Sequence, residues 1–186
     1  MIRQLTDFIH FIWSGYIFDG MRVLDATVGN GQDAEFLCKN IGEKGSFDGI
    51  DIQSIAIDKT RVRLIEAGLS NFTLICKDHS EINYLYASDT FDMIVYNLGY
   101  LPSEAKAITT TVQKTEKSLN SALQLIRVDG VISVTVYPGH EEGRVESDWI
   151  QKWSQNLNPK VFHVMKLSYL NQSESSPYLL LIERKK

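Results

Sequence analysis

The sequence has little cysteine and no clustered histidine. Its two cysteines, Cys38 and Cys76, lie far apart with no C-x-x-C pattern, and its four histidines show no metal-ligand spacing. A disulfide framework is therefore excluded, and no metal site is expected. We expect both thiols to be reduced and buried in a cytoplasmic protein.

Long apolar runs are also absent. No run approaches the roughly 20 residues that a membrane-spanning helix needs, so no membrane association is expected. The N-terminal segment 1–20 is apolar, but Arg3, Asp7 and His10 interrupt it and no small-residue cleavage site follows. We interpret this segment as an amphipathic helix, not as a signal peptide.

The sequence also has no excess of positive charge. The 186 residues carry 19 basic and 23 acidic side chains, for a net charge of −4. Because phosphate binding depends on Lys and Arg, any RNA contact must use a local patch, a dimer surface or a small recognition element. The basic residues available for it are Lys106, Lys114, Lys117, Arg144, Lys152, Lys160, Arg184, Lys185 and Lys186.

Short β-rich runs alternate with helix-length segments. The pattern predicts strands at 21–27, 45–51, 71–76, 91–97, 130–137, 161–169 and 177–184. It predicts helices at 32–42, 53–68, 79–87, 106–127 and 141–156. Alternation of this kind indicates a mostly parallel sheet with helices on both faces. The loop 170–177 is too short for a crossover helix, so the last two strands should form an antiparallel hairpin.

These elements predict a single α/β domain over residues 1–186, with an N-terminal helix in 1–20 and a Rossmann-like core in 21–186. Seven strands that end in an antiparallel hairpin differ from the six-stranded dinucleotide-binding fold. The topology instead resembles the class I methyltransferases, which use S-adenosylmethionine.

The stretch "LDATVGNGQDAEFL", residues 24–37, joins the first strand to a helix. Gly29 and Gly31 allow a tight turn and a close approach to a ligand, and Asp51 ends the second strand, where it can bind ribose hydroxyls. These features fit NAD and S-adenosylmethionine equally. Asp25 and Thr27 favour the latter, because D-x-T-x-G-N-G is similar to the first methyltransferase motif. A carboxylate at Asp25 suits the ammonium of a methionine moiety. A tight turn without a ligand is the alternative.

The stretch "YNLGYLP", residues 96–102, follows the fourth predicted strand. Asn97 and the carbonyl of Leu98 can accept hydrogen bonds from an acceptor amine, and Tyr100 can stack on a base. A strand-ending turn is the structural alternative. An aliphatic ammonium must lose a proton before it attacks a methyl group. His79, His140 and Tyr100 are possible relays, and the sequence does not rank them.

Two further segments carry polar residues at strand ends. Asp78 and His79 follow the third strand, where class I methyltransferases commonly place an acidic residue against adenine; an ordinary helix N-cap would also explain Asp78. In "VYPGHEEG", His140 is expected to face the substrate cleft. The alternative is that the segment only begins a helix with favourable acidic residues.

These motifs, in this order, resemble the YtqB-type "putative rRNA methylase" family, which is assigned as the tRNA aminomethyl-thiouridine methyltransferase MnmM. The resemblance covers the chain from Asp25 to "YLLLIER". It implies a homodimer, S-adenosylmethionine as the methyl donor, and the tRNA anticodon loop as substrate. The methyl group would go to the aminomethyl arm of the wobble uridine. It implies cofactor contacts at Asp25, Thr27, Gly29, Asn30, Gly31, Asp51, Gln53, Asp78, His79 and Asn97.

On the acceptor side, the resemblance implies that Asn97 and Tyr100 lie beside the acceptor, with Tyr137, Pro138, Gly139 and His140 on the opposite wall. The chain departs from the family at Ser103 and Glu104, where a Gly pair is usual, and at Ser176, where a Pro is usual. Other functions remain open: a ribosomal RNA or small-molecule amine methyltransferase, an NAD-dependent oxidoreductase, or a degenerate RNA-binding module.

Overall fold

The computed structural model describes residues 5–98 and 112–186. Its strands are β1 (Arg22–Asp25), β2 (Ser46–Asp51), β3 (Phe72–Cys76), β4 (Phe91–Leu98), β5 (Ile126–Val136), β6 (Phe162–Leu167) and β7 (Tyr178–Arg184). Its helices are α1 (Leu5–Trp13), α2 (Gln32–Asn40), α3 (Ser54–Glu66), α4 (Ile82–Leu85), α5 (Val112–Leu125) and α6 (Glu141–Gln155), with a 3-10 turn at His79–Glu81 before α4.

The seven strands form one sheet in the order β3-β2-β1-β4-β5-β7-β6. The pairs among β1 to β5 are parallel. Strand β7 lies between β5 and β6 and is antiparallel to both. The predicted mostly parallel sheet with a C-terminal antiparallel hairpin is therefore confirmed, because the short connection after β6 leaves no room for a crossover helix.

Helices cover both faces of the sheet. On one face, α1, α2 and α3 enclose an apolar cluster that includes Trp13, Leu37 and Leu64. On the other face, α4, α5 and α6 enclose a second cluster that includes Leu119 and Ile150. Because both faces are covered, most residues of the central strands β1 and β4 are buried.

Helix α1 packs directly on the sheet. Ile9 and Trp13 are buried, and the indole N–H of Trp13 donates to the Ser133 hydroxyl of β5 at 2.8 Å. A buried indole usually needs such a partner. The helix ends at Trp13, short of the expected segment 1–20, because Gly15 starts a turn in which its N–H donates to the Ile12 carbonyl.

Three other expectations differ in detail from the structure. The predicted helix 79–87 divides into a 3-10 turn and the short α4, because Asp78 caps the turn through its side chain. Strand β5 begins at Ile126, ahead of the predicted residue 130. A left-handed residue, Asp129, bulges the strand before regular pairing with β4 resumes at Val131. The thiol of Cys76 is exposed because β3 is an edge strand, whereas Cys38 is buried as predicted.

The predicted helix 106–127 is described only from Val112 onward. The rings of Trp149 and Trp153 of α6 stack with their centroids 5.9 Å apart, and both side chains pack against the second cluster. Within the described ranges, no helix is both long enough and apolar enough to cross a bilayer.

Candidate functional site

The site lies at the carboxyl edge of the sheet, where β1 and β4 are neighbours. Chain order reverses between these two strands, and open α/β sheets bind ligands at such a point. The Ala26 N–H donates to the Val95 carbonyl at 3.0 Å, and the Asn97 N–H donates to the Thr27 hydroxyl at 2.7 Å. The structure thus brings the loop after β1 and the end of β4 into direct contact.

The glycine loop is held in a left-handed conformation and pressed against α3. Gly29 and Gly31 have φ angles of 52° and 76°. A Cβ on Gly31 would lie 2.7 Å from the Thr60 hydroxyl oxygen, so no larger residue fits there. The Thr60 hydroxyl donates to the Gly29 carbonyl, and Arg63 donates to the carbonyl of the exposed Asn30. Helix α3 therefore fixes the shape of the loop.

Asp51, at the end of β2, accepts two backbone hydrogen bonds. One carboxylate oxygen accepts from the Gly29 N–H at 3.0 Å and the other from the Gln53 N–H at 2.9 Å. Burial raises the pKa of the Asp51 carboxyl, while the two N–H groups act in the opposite direction. The side chain remains partly exposed at the edge of the sheet, so a ligand can reach its carboxylate.

Asp25, at the end of β1, is fully buried. One of its oxygens accepts from the Thr27 N–H at 3.0 Å, and the other has no hydrogen-bond partner among the described residues. Burial, followed by the negative charges of Asp33 and Asp51, raises the pKa of Asp25 well above its usual value. A buried carboxylate with an unused oxygen and acidic neighbours is suited to a cationic ligand.

The raised pKa of Asp25 makes the stability of the ligand-free protein pH-dependent. The folded state holds the Asp25 proton more tightly than the unfolded state, whose pKa is close to 3.8. As pH rises above that value the unfolded state loses its proton first, so the free energy of unfolding falls until the folded carboxyl has also ionised. We therefore expect Asp25→Asn to raise the unfolding temperature by a few degrees at neutral pH, an effect that disappears near pH 4.

Thermal unfolding of the two ligand-free proteins across this pH range measures the difference. Asp58→Asn, which removes an exposed carboxylate on α3, controls for the change in net charge. A gap between Asp25→Asn and wild type that stayed constant with pH would contradict the assignment to Asp25.

Asn97, at the end of β4, is hydrogen-bonded to Asp33, which is not among the site residues that the sequence predicts. Its side-chain NH2 donates to one carboxylate oxygen of Asp33 at 2.8 Å. The other Asp33 oxygen contacts the ring Nε2 of His10 at 2.7 Å. Asp33 belongs to α2 and His10 to α1, so three elements meet at this carboxylate. Because acidic residues are common in the first turn of a helix, local sequence gave no reason to place Asp33 in the site.

Asp78 and His79 lie at the end of β3. Asp78 caps the 3-10 turn by accepting from the Ser80 N–H and pairs with Lys114 of α5 at 2.7 Å. Burial opposes ionisation, but Lys114 and Ser80 lower the pKa of Asp78 to about 2. Burial also lowers the pKa of His79, and its Nδ1 atom has no hydrogen-bond partner in the described part of the chain. The capping role of Asp78 is thus observed, and contact with a cofactor stays a prediction.

The opposite wall follows β5. Tyr137 is bonded through its N–H to the Leu98 carbonyl at 3.1 Å. Burial first, and then the charge of Asp33, raise its phenol pKa. His140 caps α6, since its Nδ1 accepts from the Gly143 N–H at 3.0 Å. The helix-start interpretation of this segment therefore holds, and a role for His140 in the cleft stays a prediction. Tyr100, Ser103, Glu104 and Lys106 lie outside the described residues.

Several of the candidate RNA-binding cations already contact other groups within the protein. Lys114 pairs with Asp78, and Lys117 lies over the Tyr84 ring at 4.9 Å. Arg184 pairs with Asp89, and Lys185 donates to the Pro159 carbonyl. Arg144, Lys152 and Lys160 remain exposed. Within residues 5–98 and 112–186, the cations are therefore dispersed and do not form one large basic surface.

A family model described as "Putative rRNA methylase" matches residues 48–183. The matched span runs from β2 to β7 and includes Asp51, Asn97 and His140. It covers more than half of the chain.

Individual relatives align over nearly all of the chain. A "tRNA (mnm(5)s(2)U34)-methyltransferase, chloroplastic" from Arabidopsis thaliana is 29% identical over 98% of this chain and 70% of its own length. The crystal structure of a "putative rRNA-methylase" from Clostridium thermocellum has 32% identity and a TM-score of 0.92, covering 99% of both chains. A "putative methyltransferase" from Streptococcus mutans, solved in complex with SAH, has 29% identity and a TM-score of 0.86, again over 99% of both chains.

Proposed function

The chain belongs to the "Putative rRNA methylase" family, and from this premise we propose that it methylates the aminomethyl group of wobble-position 5-aminomethyl-2-thiouridine in tRNA. It is a methyltransferase that uses S-adenosylmethionine. The observation that carries the proposal is the contact between the glycine loop and Asn97, which joins a cofactor loop to a group able to bind an amine. The Arabidopsis relative, a tRNA methyltransferase over 98% of this chain, supports the choice of substrate.

S-adenosylmethionine fits the residues at the carboxyl edge. The unused buried oxygen of Asp25 is suited to the methionine ammonium, and Asp51, beside the glycine loop, is suited to the ribose hydroxyls. Gly29 and Gly31 allow the ligand to approach the backbone. When bound, the cofactor supplies a methyl group activated by a positively charged sulfur. Asn30, Gln53, Asp78 and His79 would complete the cofactor side, as the family resemblance implies.

On the acceptor side, the protein orients the nitrogen that receives the methyl group. The Asn97 side-chain oxygen can accept a hydrogen bond from the amine, and the Leu98 carbonyl, which already accepts from the Tyr137 N–H, has a second lone pair for another. Alignment of this kind supplies most of the acceleration when the methyl group is already activated. Tyr100 and His140 would contact the base. No residue is assigned as the general base.

The RNA would be held by few contacts. Arg144 and Lys152 of α6 are exposed and, together with base stacking, suit a single anticodon loop better than a long duplex. A homodimer would double this charge. The homodimer and the cytoplasmic location both stay predictions.

Asp51→Ala is expected to weaken the binding of S-adenosylhomocysteine, the reaction product, at least about tenfold, or roughly 1.4 kcal/mol. The change removes the acceptor for the Gly29 and Gln53 N–H groups and a contact to the ribose. Titration calorimetry measures the affinity. Asp51→Asn keeps one accepting oxygen and should lose less of this affinity. If Asp51→Ala lowered turnover at saturating cofactor but left the affinity for S-adenosylhomocysteine unchanged, a cofactor-binding role for Asp51 would be contradicted.

The test of the function uses labelled S-adenosylmethionine and tRNA that carries the aminomethyl wobble uridine, with an unmodified transcript as the control. Nucleoside mass spectrometry locates the added methyl group. We expect one methyl on the aminomethyl nucleoside and none on the control. Methylation of ribosomal RNA or of a small amine instead would overturn the proposed substrate, and failure to bind S-adenosylhomocysteine would favour an NAD-dependent enzyme or an RNA-binding module.

A further inference from the structure

Asp33 lies at the meeting point of the elements that form the site. Its two oxygens contact the Asn97 amide and the His10 ring, and its charge acts on both Asp25 and Tyr137. It is therefore close to the ends of β1, β4 and β5. Its side chain is only 17% exposed, so water competes little for these contacts.

The chemistry of a carboxylate fixes the orientation of the Asn97 amide. An ionised carboxylate accepts hydrogen bonds and cannot donate one. Asn97 must therefore turn its NH2 group towards Asp33, as observed at 2.8 Å, and this turns its oxygen away from Asp33. That oxygen is the atom that an acceptor amine needs, because an amine N–H requires a hydrogen-bond acceptor.

His10 holds the carboxylate from the other side. Its ring stacks on Phe36 at 4.0 Å with an interplanar angle of 10°, which fixes the plane of the imidazole. In that plane Nε2 lies 2.7 Å from Asp33, and it must be the protonated nitrogen if it is to donate to an ionised carboxylate. Phe36 and Asp33 are three residues apart on α2 and share one helix face. Helix α1 therefore supplies a hydrogen-bond partner for Asp33 as well as apolar side chains for the core.

We propose that Asp33, backed by His10 of α1, is a positioning residue for methyl transfer, which fixes the Asn97 amide with its oxygen towards the acceptor nitrogen. This inference rests on the proposed function, because it assigns the partner of the acceptor-binding group. It adds α1 and α2 to the machinery on the acceptor side.

The first measurement is independent of activity. In ¹⁵N-labelled protein, the Asn97 side-chain amide signals are assigned by their loss in Asn97→Ala. We expect Asp33→Ala to shift these signals and to speed their exchange with solvent, since the amide loses a charged acceptor. Asp92→Asn is the matched control, because Asp92 is 16% exposed and ion-paired with Arg127 at the other end of β4. It should leave the Asn97 signals unchanged.

The second measurement is turnover on tRNA carrying the aminomethyl uridine. We expect Asp33→Ala to lower kcat roughly 10- to 100-fold, with the KM for tRNA and the affinity for S-adenosylhomocysteine within about threefold of wild type. Asp33→Asn has the same shape but can donate as well as accept, so it no longer imposes one orientation and should show an intermediate loss. A merely structural role would be restored in full by this isosteric change.

The contact between His10 of α1 and Asp33 is tested separately. His10→Phe keeps an aromatic ring against Phe36 but removes the donor, and it should lower kcat. His10→Gln keeps a donor and should recover most of that loss. If Asp33→Ala fails to fold, Asp33→Asn and His10→Phe still test whether Asp33 positions the Asn97 side chain.

The proposal is overturned if the Asn97 signals do not respond to Asp33 substitution, or if kcat is unchanged in the folded Asp33 variants. Failure of the proposed function is distinguishable. In that case wild-type protein transfers no methyl group to the aminomethyl tRNA, while the amide signals still respond to Asp33.

Discussion

Asn97→Ala is expected to lower kcat at least about 100-fold while leaving the affinity for S-adenosylhomocysteine within about threefold of wild type. The side-chain oxygen proposed to bind the acceptor nitrogen is lost, whereas the backbone N–H that contacts Thr27 remains. The glycine loop, Asp25 and Asp51 keep their contacts, so the cofactor side is preserved. Single-turnover kinetics and calorimetry on the same preparation measure the two quantities.

A matched control separates loss of catalysis from loss of stability. Asn71 donates from its side chain to the Cys38 and Gly42 carbonyls, at the opposite edge of the sheet. Asn71→Ala should therefore lower the free energy of unfolding by about 1–3 kcal/mol and leave kcat unchanged. If Asn97→Ala abolished cofactor binding instead of turnover, the division into a cofactor side and an acceptor side would be wrong.

Gly31→Ala is expected to destabilise the protein by about 2–5 kcal/mol, the sum of a left-handed backbone cost and overpacking. The residue caps α2 with φ 76° and ψ 16°. A new Cβ would lie 2.7 Å from the Thr60 hydroxyl oxygen and 3.0 Å from the Thr60 Cα. Since backbone cannot move aside as a side-chain tip can, either the loop or α3 must shift. Weaker cofactor binding should accompany the loss of stability.

Gly68→Ala is the control for Gly31→Ala. Gly68 has a similar φ of 73°, but a Cβ there would meet no atom within 4 Å. It should therefore cost only the backbone strain, about 1–2 kcal/mol, and leave the cofactor affinity unchanged. Urea unfolding of the three proteins gives the comparison. Equal destabilisation at the two positions would show that the Thr60 contact contributes nothing.

The architecture could be predicted from the sequence because it follows from local signals. Alternating β-rich and helical segments predict a parallel sheet, and the short loop 170–177 predicts an antiparallel pair. The elements whose details differ are those set by non-local contacts or by one residue. The bulge at Asp129 is one case. The end of α1 at Trp13 is another, where packing on Ser133 and the turn at Gly15 decide the boundary.

The candidate site likewise contains residues that local sequence signals predict and residues that only non-local contacts bring in. Asp25, Gly29, Gly31, Asp51 and Asn97 stand at strand ends or in a glycine loop, and such positions can be found from sequence because the carboxyl ends of parallel strands meet at one edge. The sequence was therefore sufficient to predict the fold class, the family and the edge of the sheet that carries the candidate site. The sequence left the roles of Asp78 and His140 open, and the structure shows that both residues cap helical segments.

The hydrogen bonds that connect the residues of the candidate site depend on how separate elements pack together. His10, Asp33 and Asn97 are separated by 23 and 64 residues, and each has a sufficient local explanation. His10 interrupts an apolar helix, Asp33 lies in a first helical turn, and Asn97 ends a strand. Their hydrogen bonds arise because packing α1 and α2 on one face of the sheet brings the three side chains to the end of β4. No periodicity or motif encodes a contact of that kind, since it depends on where separate elements dock.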